Sequence, residues 1–354
     1  MKILVRATNW VGDAVMSIPA LTVIRGRFPQ AEIVVLARPW VADLYRDQGF
    51  LDRLILFDQA GRHRGLLGLE RLASELRRDR FDLAILLPNS FQSAWIPWRA
   101  GIPARVGYAR DARSSLLTQS IPLPRQGEVP AHETYYYLEL LRRAGFIDRL
   151  HPIERIGIRV DPASLDRAED MLRRAGARAG AFRVALAPGA AFGSAKCWPP
   201  ARFAELAGRW IADFDADVIL FGTSSDRVVA EKIAAAMRRP PVMLVGQTPI
   251  RDLPALLASC RLFVGNDSGA THVAAAVGLP VVGIYGPTDP LGSAPLTPSA
   301  TVVHRPVSCS PCFLPHCPVD HRCMTRITVD DVFRASRDLV ASRLAAAPGS
   351  IGDA

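Results

Sequence analysis

Short β-branched apolar runs alternate with amphipathic stretches along nearly the whole chain. KILVRA at 2–7 and EIVVLA at 32–37 enclose a segment at 13–27 with helical spacing, which predicts a β-α-β unit. The rhythm continues with strands expected at 53–57, 82–87 and near 104–107, a basic amphipathic helix near 65–79 and a helix near 133–145. After a polar stretch at roughly 146–180 it restarts. Strands are expected at 182–187, 216–221, 242–245, 261–264 and 280–284, with helices between them. This pattern implies an α/β protein with two doubly wound parallel sheets, each covered by helices on both faces. The halves are expected to be 1–165 and 166–354, with a hinge near 165 and a cleft between the carboxyl ends of the sheets. Residues 305–324 break the rhythm with cysteines and prolines, and 328–346 reads as a last helix.

Composition narrows the picture. At 354 residues, 49% hydrophobic and 22% charged, the chain is too apolar for disorder and has length for about two domains. No apolar run reaches the ~18 uncharged residues of a membrane span. The formal charge is +9, and 21 of the 43 basic residues but only 15 of the 34 acidic ones fall in the first 150. Such an excess fits an anionic partner, whether nucleic acid, phosphorylated sugar or a membrane face; an arginine-heavy composition with an ordinary surface fits it equally. Arg6 and Asp13 interrupt the first apolar run, and no secretory cleavage site follows. Six cysteines without an export signal suggest a reducing cytoplasm.

Three turns could carry chemistry. The turn after the first strand, Thr8-Asn9-Trp10-Val11-Gly12-Asp13, has one glycine where a dinucleotide fold needs several, which disfavours NAD. It carries Asp13 instead, readable as a helix cap or first-turn dipole partner, or as a general base. In the second half, Pro188-Gly189-Ala190 through Gly193 to Lys196-Cys197-Trp198-Pro199 combines small residues with one of only three lysines. Free backbone N–H groups and a point charge ahead of a helix suit a diphosphate, although such loops are often mere connections. Gly265-Asn266-Asp267-Ser268-Gly269-Ala270-Thr271-His272 then leads into an apolar helix, so Asp267 or Ser268 can cap it while N–H groups from Ser268 onward meet an anion. A weaker signal is Gly222-Thr223-Ser224-Ser225-Asp226, where capping competes with a nucleoside contact.

Taken in order, these segments resemble glycosyltransferase family 9, the lipopolysaccharide heptosyltransferases. The resemblance spans nearly the whole chain. It rests on Asn9-Trp10-Val11-Gly12-Asp13, Leu87-Pro88-Asn89-Ser90-Phe91, Arg105-Val106-Gly107-Tyr108, the Pro188 to Pro199 loop, Asn266-Asp267-Ser268-Gly269 with His272, Tyr285-Gly286-Pro287-Thr288-Asp289-Pro290, and Cys309-Ser310-Pro311-Cys312-Phe313. The last of these leans toward members that add the second inner-core heptose over those that add the first.

The resemblance implies a GT-B fold: two Rossmann-like domains facing across a cleft, the N-terminal one for the acceptor and the C-terminal one for ADP-heptose. It implies an inverting, metal-independent transfer of L-glycero-D-manno-heptose, with Asp13 as base and no cofactor. Gly189, Lys196, Ser224, Asp226, Asp267, Ser268, Gly269 and His272 are then expected on the donor, and Asn9, Trp10, Asn89, Ser90 and Arg105 on the acceptor. That acceptor would be a lipid A–Kdo–heptose, met by a cytoplasmic protein peripheral to the anionic inner-membrane leaflet. Cys197 stands where relatives often carry a charged residue.

Cys309, Cys312, Cys317 and Cys323, with His316 and His321 nearby, contain enough soft ligands for zinc, though not at a standard finger spacing; packed or surface thiols are the simpler reading. Two other function classes compete. A nicotinamide-dependent dehydrogenase or epimerase lacks its glycine fingerprint here, and a nucleic-acid-binding module lacks a basic helix with interleaved aromatics.

Overall fold

The computed structural model describes residues 1–346, with residues 347–354 of the expected C-terminal domain outside the described part. The chain divides into two compact units, Met1–Ile153 and Glu154–Ala354. The first holds six strands: β1 (Lys2–Arg6), β2 (Glu32–Ala37), β3 (Arg53–Leu56), β4 (Leu83–Leu86), β5 (Ala104–Tyr108) and β6 (Gln119–Ile121). They pair in parallel in the order β3-β2-β1-β4-β5-β6. The second unit repeats this winding with β7 (Arg183–Ala187), β8 (Asp217–Leu220), β9 (Val242–Met243), β10 (Leu262–Asn266), β11 (Val281–Tyr285) and β12 (Ala300–His304), in the order β12-β11-β10-β7-β8-β9. Both are Rossmann-like, the pair of folds found in GT-B enzymes.

Burial explains why these runs became strands. β4, β7, β8, β10 and β11 are buried along their whole length, as sheets covered on both faces require. The two strands that patterning misses are at the sheet edges. β6 is only three residues long with Gln119 and Ser120 exposed, and β12 is half-buried.

The expected hinge at 165 is corrected. Residue 165 lies inside a helix, Pro162–Arg174, capped by Asp161, which accepts from the Ser164 N–H at 2.9 Å. Only Ala168 and Leu172 of that helix are buried, so its polar surface concealed its period. Glu169 ties it to β7 through two 2.6 Å bonds from Arg183, and the unit boundary falls earlier, at 153/154.

Each unit has its own core. In the second, Trp210 of the Pro200–Phe214 helix is fully buried and stacks on Phe182, with ring centroids 5.6 Å apart. We expect Trp210→Ala to destabilise the chain by about 3–5 kcal/mol, read from denaturant unfolding.

Candidate functional site

In a parallel sheet wound 3-2-1-4-5-6, the connections leave β1 and β4 in opposite directions, opening a crevice at their carboxyl ends. In the first unit, β1 and β4 are the adjacent strands at that reversal. After β1 the chain turns into the short helix Val11–Met16, whose N-cap is Trp10, and Trp10 makes no side-chain capping bond. Asp13 is therefore not the cap. It sits at the third helical position, half-buried, with its charge at the positive helix end. Burial, and then the charge of Asp13, push the pKa of the Tyr137 phenol well above its ordinary value.

After β4, Ser90 caps the Phe91–Arg99 helix, accepting from the Ser93 N–H at 3.3 Å. Asn89 donates to Tyr136 Oη at 2.8 Å and accepts from Arg113 at 3.3 Å. Arg113 is fully buried and also donates to Ser93 Oγ at 2.7 Å, to the Tyr108 carbonyl at 3.0 Å and to the Pro88 carbonyl. It therefore fixes the Pro88-Asn89-Ser90 turn, although nothing in the sequence separates it from the other arginines. Trp10 is 56% exposed. Arg105 is a correction. It lies toward the amino end of β5, and its guanidinium is engaged by the carbonyls of Leu116, Ile102 and Pro103, so the structure does not bring it to the crevice.

The second unit has the same crevice between β7 and β10. Lys196 ends a short 3-10 turn after β7 and donates to Asp267 Oδ2 at 2.5 Å; Thr288, from the loop after β11, donates to the same oxygen at 2.7 Å. The Lys196 and Asp267 side chains are 14% and 7% exposed, so neither is well hydrated. Asn266 laces the two loops together, donating to the Pro188 carbonyl at 2.6 Å and accepting from the Trp198 N–H at 3.0 Å. Thr288 is a member that sequence reasoning missed as a site residue, having noted it only inside a motif.

Asp267 is not a cap, because its carboxylate is taken by Lys196 and Thr288. Ser268 holds the N-cap position of the Gly269–Ala276 helix, but its hydroxyl pairs with Thr271 Oγ1 at 3.3 Å and makes no bond to the backbone. His272 is buried inside that helix. Asp226 forms a capping box with Thr223, accepting from its N–H and hydroxyl at 2.8 Å each, while Ser224 is exposed in the same turn. Gly189 packs against Asp226 so closely that a Cβ would lie 2.2 Å from Oδ1.

The cysteines are free thiols, with Cys323 buried, Cys312 and Cys317 half-buried and Cys309 exposed. Among the described residues, no group of three or more His, Cys, Asp or Glu side chains is placed to hold a metal, so the zinc alternative finds no cage. The segment braces the Lys196 loop instead. His321 Nε2 lies 2.7 Å from the Ala195 carbonyl, the Ala195 N–H donates to the Pro315 carbonyl at 3.0 Å, and Ser194 Oγ lies 3.0 Å from His316 Nδ1. The Cys312 and Phe313 N–H groups bond the Pro287 carbonyl at 3.0 and 2.9 Å, beside Thr288.

Two Rossmann-like units in tandem, each with polar side chains gathered where its strand order reverses, are the pair of domains that the GT-B class of fold comprises. The chain belongs to glycosyltransferase family 9 (heptosyltransferase), whose family model matches residues 69–322. It is 33% identical over 311 residues to lipopolysaccharide heptosyltransferase 2 of Escherichia coli K12, covering 86% of this chain and 88% of that one. It is 32% identical to lipooligosaccharide heptosyltransferase 2 of Haemophilus influenzae over 313 residues, with the same coverage. The solved structure of E. coli ADP-heptose lps heptosyltransferase II superposes with a TM-score of 0.82 at 30% identity, covering 97% of this chain and all of the other.

The brace is open to test at Gly193, where φ is +151° and a Cβ would lie 2.1 Å from the Pro315 carbonyl oxygen. We expect Gly193→Ala to lose about 1–3 kcal/mol of stability in thermal or denaturant unfolding. Gly208→Ala, in the Pro200–Phe214 helix with open space around its Cβ, should gain about 0.5–1 kcal/mol.

Proposed function

We propose that the chain is an inverting heptosyltransferase that moves L-glycero-D-manno-heptose from ADP-heptose to the heptose of a lipopolysaccharide inner core, the second heptosyltransferase step. The observation that carries this reading is the Lys196–Asp267–Thr288 cluster beside the amino end of the Gly269–Ala276 helix. An ammonium group has three N–H donors, and Asp267 takes one of them. The remaining donors and the first amides of the helix can meet the negative charge that gathers on a departing ADP, with no divalent ion in the step. Asp267 sets the ammonium in position beforehand, so little reorganisation accompanies bond breaking.

The N-terminal unit supplies the acceptor side of this proposal. A sugar hydroxyl is too weak an acid to attack unaided near neutral pH, so a carboxylate must take its proton as the new glycosidic bond forms. Asp13 has that role. The proton passes to its carboxylate while the acceptor oxygen attacks the anomeric carbon opposite the leaving diphosphate, which inverts the configuration. Asn89, held by Arg113 and Tyr136, is the proposed acceptor contact from the loop after β4. Contact with an anionic leaflet is part of the same reading. No helix among the described residues is long and apolar enough to cross a membrane, but Leu66 and Leu67, beside the exposed Arg62 and Arg64, are 78% and 87% exposed.

Purified protein incubated with ADP-heptose and truncated core acceptors should yield product heavier by one heptosyl unit in mass spectrometry; no mass gain with any acceptor refutes the assignment. Asp13→Asn should keep ADP affinity and lose on the order of 10²–10⁴ in kcat. Lys196→Ala should weaken ADP binding in calorimetry and also lower turnover, because its charge is met before and during bond breaking. An unchanged ADP affinity would remove the loop after β7 from the donor site.

A further inference from the structure

The strands that deliver Asp13 also deliver two buried cations. Arg6 is the last residue of β1, and Arg38 follows β2 by one residue. Both guanidinium groups lie over the ring of Phe57, just after β3, with Cζ atoms 5.4 and 4.1 Å from its centroid. Arg6 is 3% exposed and Arg38 8%. They share one neutral acceptor: Asn9 Oδ1 receives a bond from Arg6 at 2.6 Å and from Arg38 Nε at 3.4 Å. Other bonds run to the Leu36 carbonyl at 3.2 Å and the Ala7 carbonyl from Arg6, and to Gln59 Oε1 from Arg38. Among the described residues, neither arginine has a carboxylate within ion-pair distance, and Arg6 Nε and Arg38 Nη1 are enclosed without a hydrogen-bond partner.

Two like charges withdrawn from water side by side are costly, and neutral carbonyl and amide oxygens offset only part of that cost. Deprotonation does not relieve it near neutral pH. Burial, and then the charge of Arg38, bring Arg6 down only to about 9. An anion would complete the arrangement, and paired guanidinium forks match the planar carboxylate and the phosphate group better than any other common anion. The rim is already aromatic: Trp40, 51% exposed, donates from Nε1 to the Asn9 carbonyl at 2.8 Å, and its ring lies 5.7 Å from the Arg38 guanidinium.

We infer that Arg6 and Arg38, backed by Phe57 and bridged by Asn9, form an oxyanion subsite for a carboxylate or phosphate carried by the acceptor. The inference rests on the reading that this unit takes the acceptor. Asn9 stands four residues before Asp13 on one continuous turn and helix, so an anion held there would fix the distance from the acceptor's charged group to the base.

The full chain is titrated with inorganic phosphate at constant ionic strength, following melting temperature and heat of binding, with saturating ADP present. The wild type should be stabilised by phosphate, and Arg38→Gln should lose at least tenfold in phosphate affinity. In steady-state transfer, the same variant should raise KM for the acceptor at least tenfold and leave KM for ADP-heptose within twofold, and Arg38→Lys should recover part of the loss. Absence of phosphate stabilisation in the wild type, a reading independent of whether any variant folds, overturns the subsite, as does wild-type phosphate affinity in Arg38→Gln. Lost phosphate binding with an unaltered acceptor KM overturns the acceptor as its source and leaves a free anion. If the wild type transfers no heptose, the transferase reading fails, while the phosphate titration still decides the subsite.

Discussion

Each sheet is wound so that two neighbouring parallel strands send their chains in opposite directions, and everything chemical in the molecule depends on that reversal. Backbone loops that would otherwise cover the strand ends are drawn apart, and a gap remains where polar groups from distant parts of the sequence converge. Lys196 and Asp267 are 71 residues apart in sequence, yet they meet because β7 and β10 are adjacent. The ion pair closes this gap electrically as well as sterically. Removing one partner from a pair this enclosed costs about 3–5 kcal/mol, because the other charge is left without water or counter-ion. The pair therefore secures both loops even before any ligand arrives.

The first unit applies the same winding to a different end. It carries a carboxylate at a helix's first turn, an asparagine held by a buried arginine and, from the ends of β1 and β2, two guanidinium groups over one phenylalanine ring.

Much of this was legible in the sequence because buried parallel strands write themselves as uninterrupted β-branched runs, and because loops at strand ends carry their glycines, lysine and acids in short contiguous motifs. Asp13, Lys196 and Asp267 stood out for that reason. What was not legible depended on partners far away in the chain. Arg113 is one of 40 arginines, and only the fold reveals that it is buried against the turn around Asn89. Thr288 matters through a single oxygen of Asp267. Arg105 sat in a convincing motif, yet the backbone carbonyls of Leu116 and Ile102 claim its guanidinium. The Pro162–Arg174 helix was hidden because two buried residues do not make a period, and β6 because three residues do not make a run.

The cysteine-rich segment reads as an interruption of the second unit, but its carbonyl at Pro315 occupies the volume that any side chain at position 193 would need, and its histidines meet the Ser194 hydroxyl and the Ala195 carbonyl. The two stretches are therefore one module that the sequence splits into pieces more than a hundred residues apart. Grafting the 188–197 loop from a relative into this chain, or the reverse, should succeed only if residues 310–321 travel with it, so the unit of exchange between homologues is the paired module and not the contiguous loop.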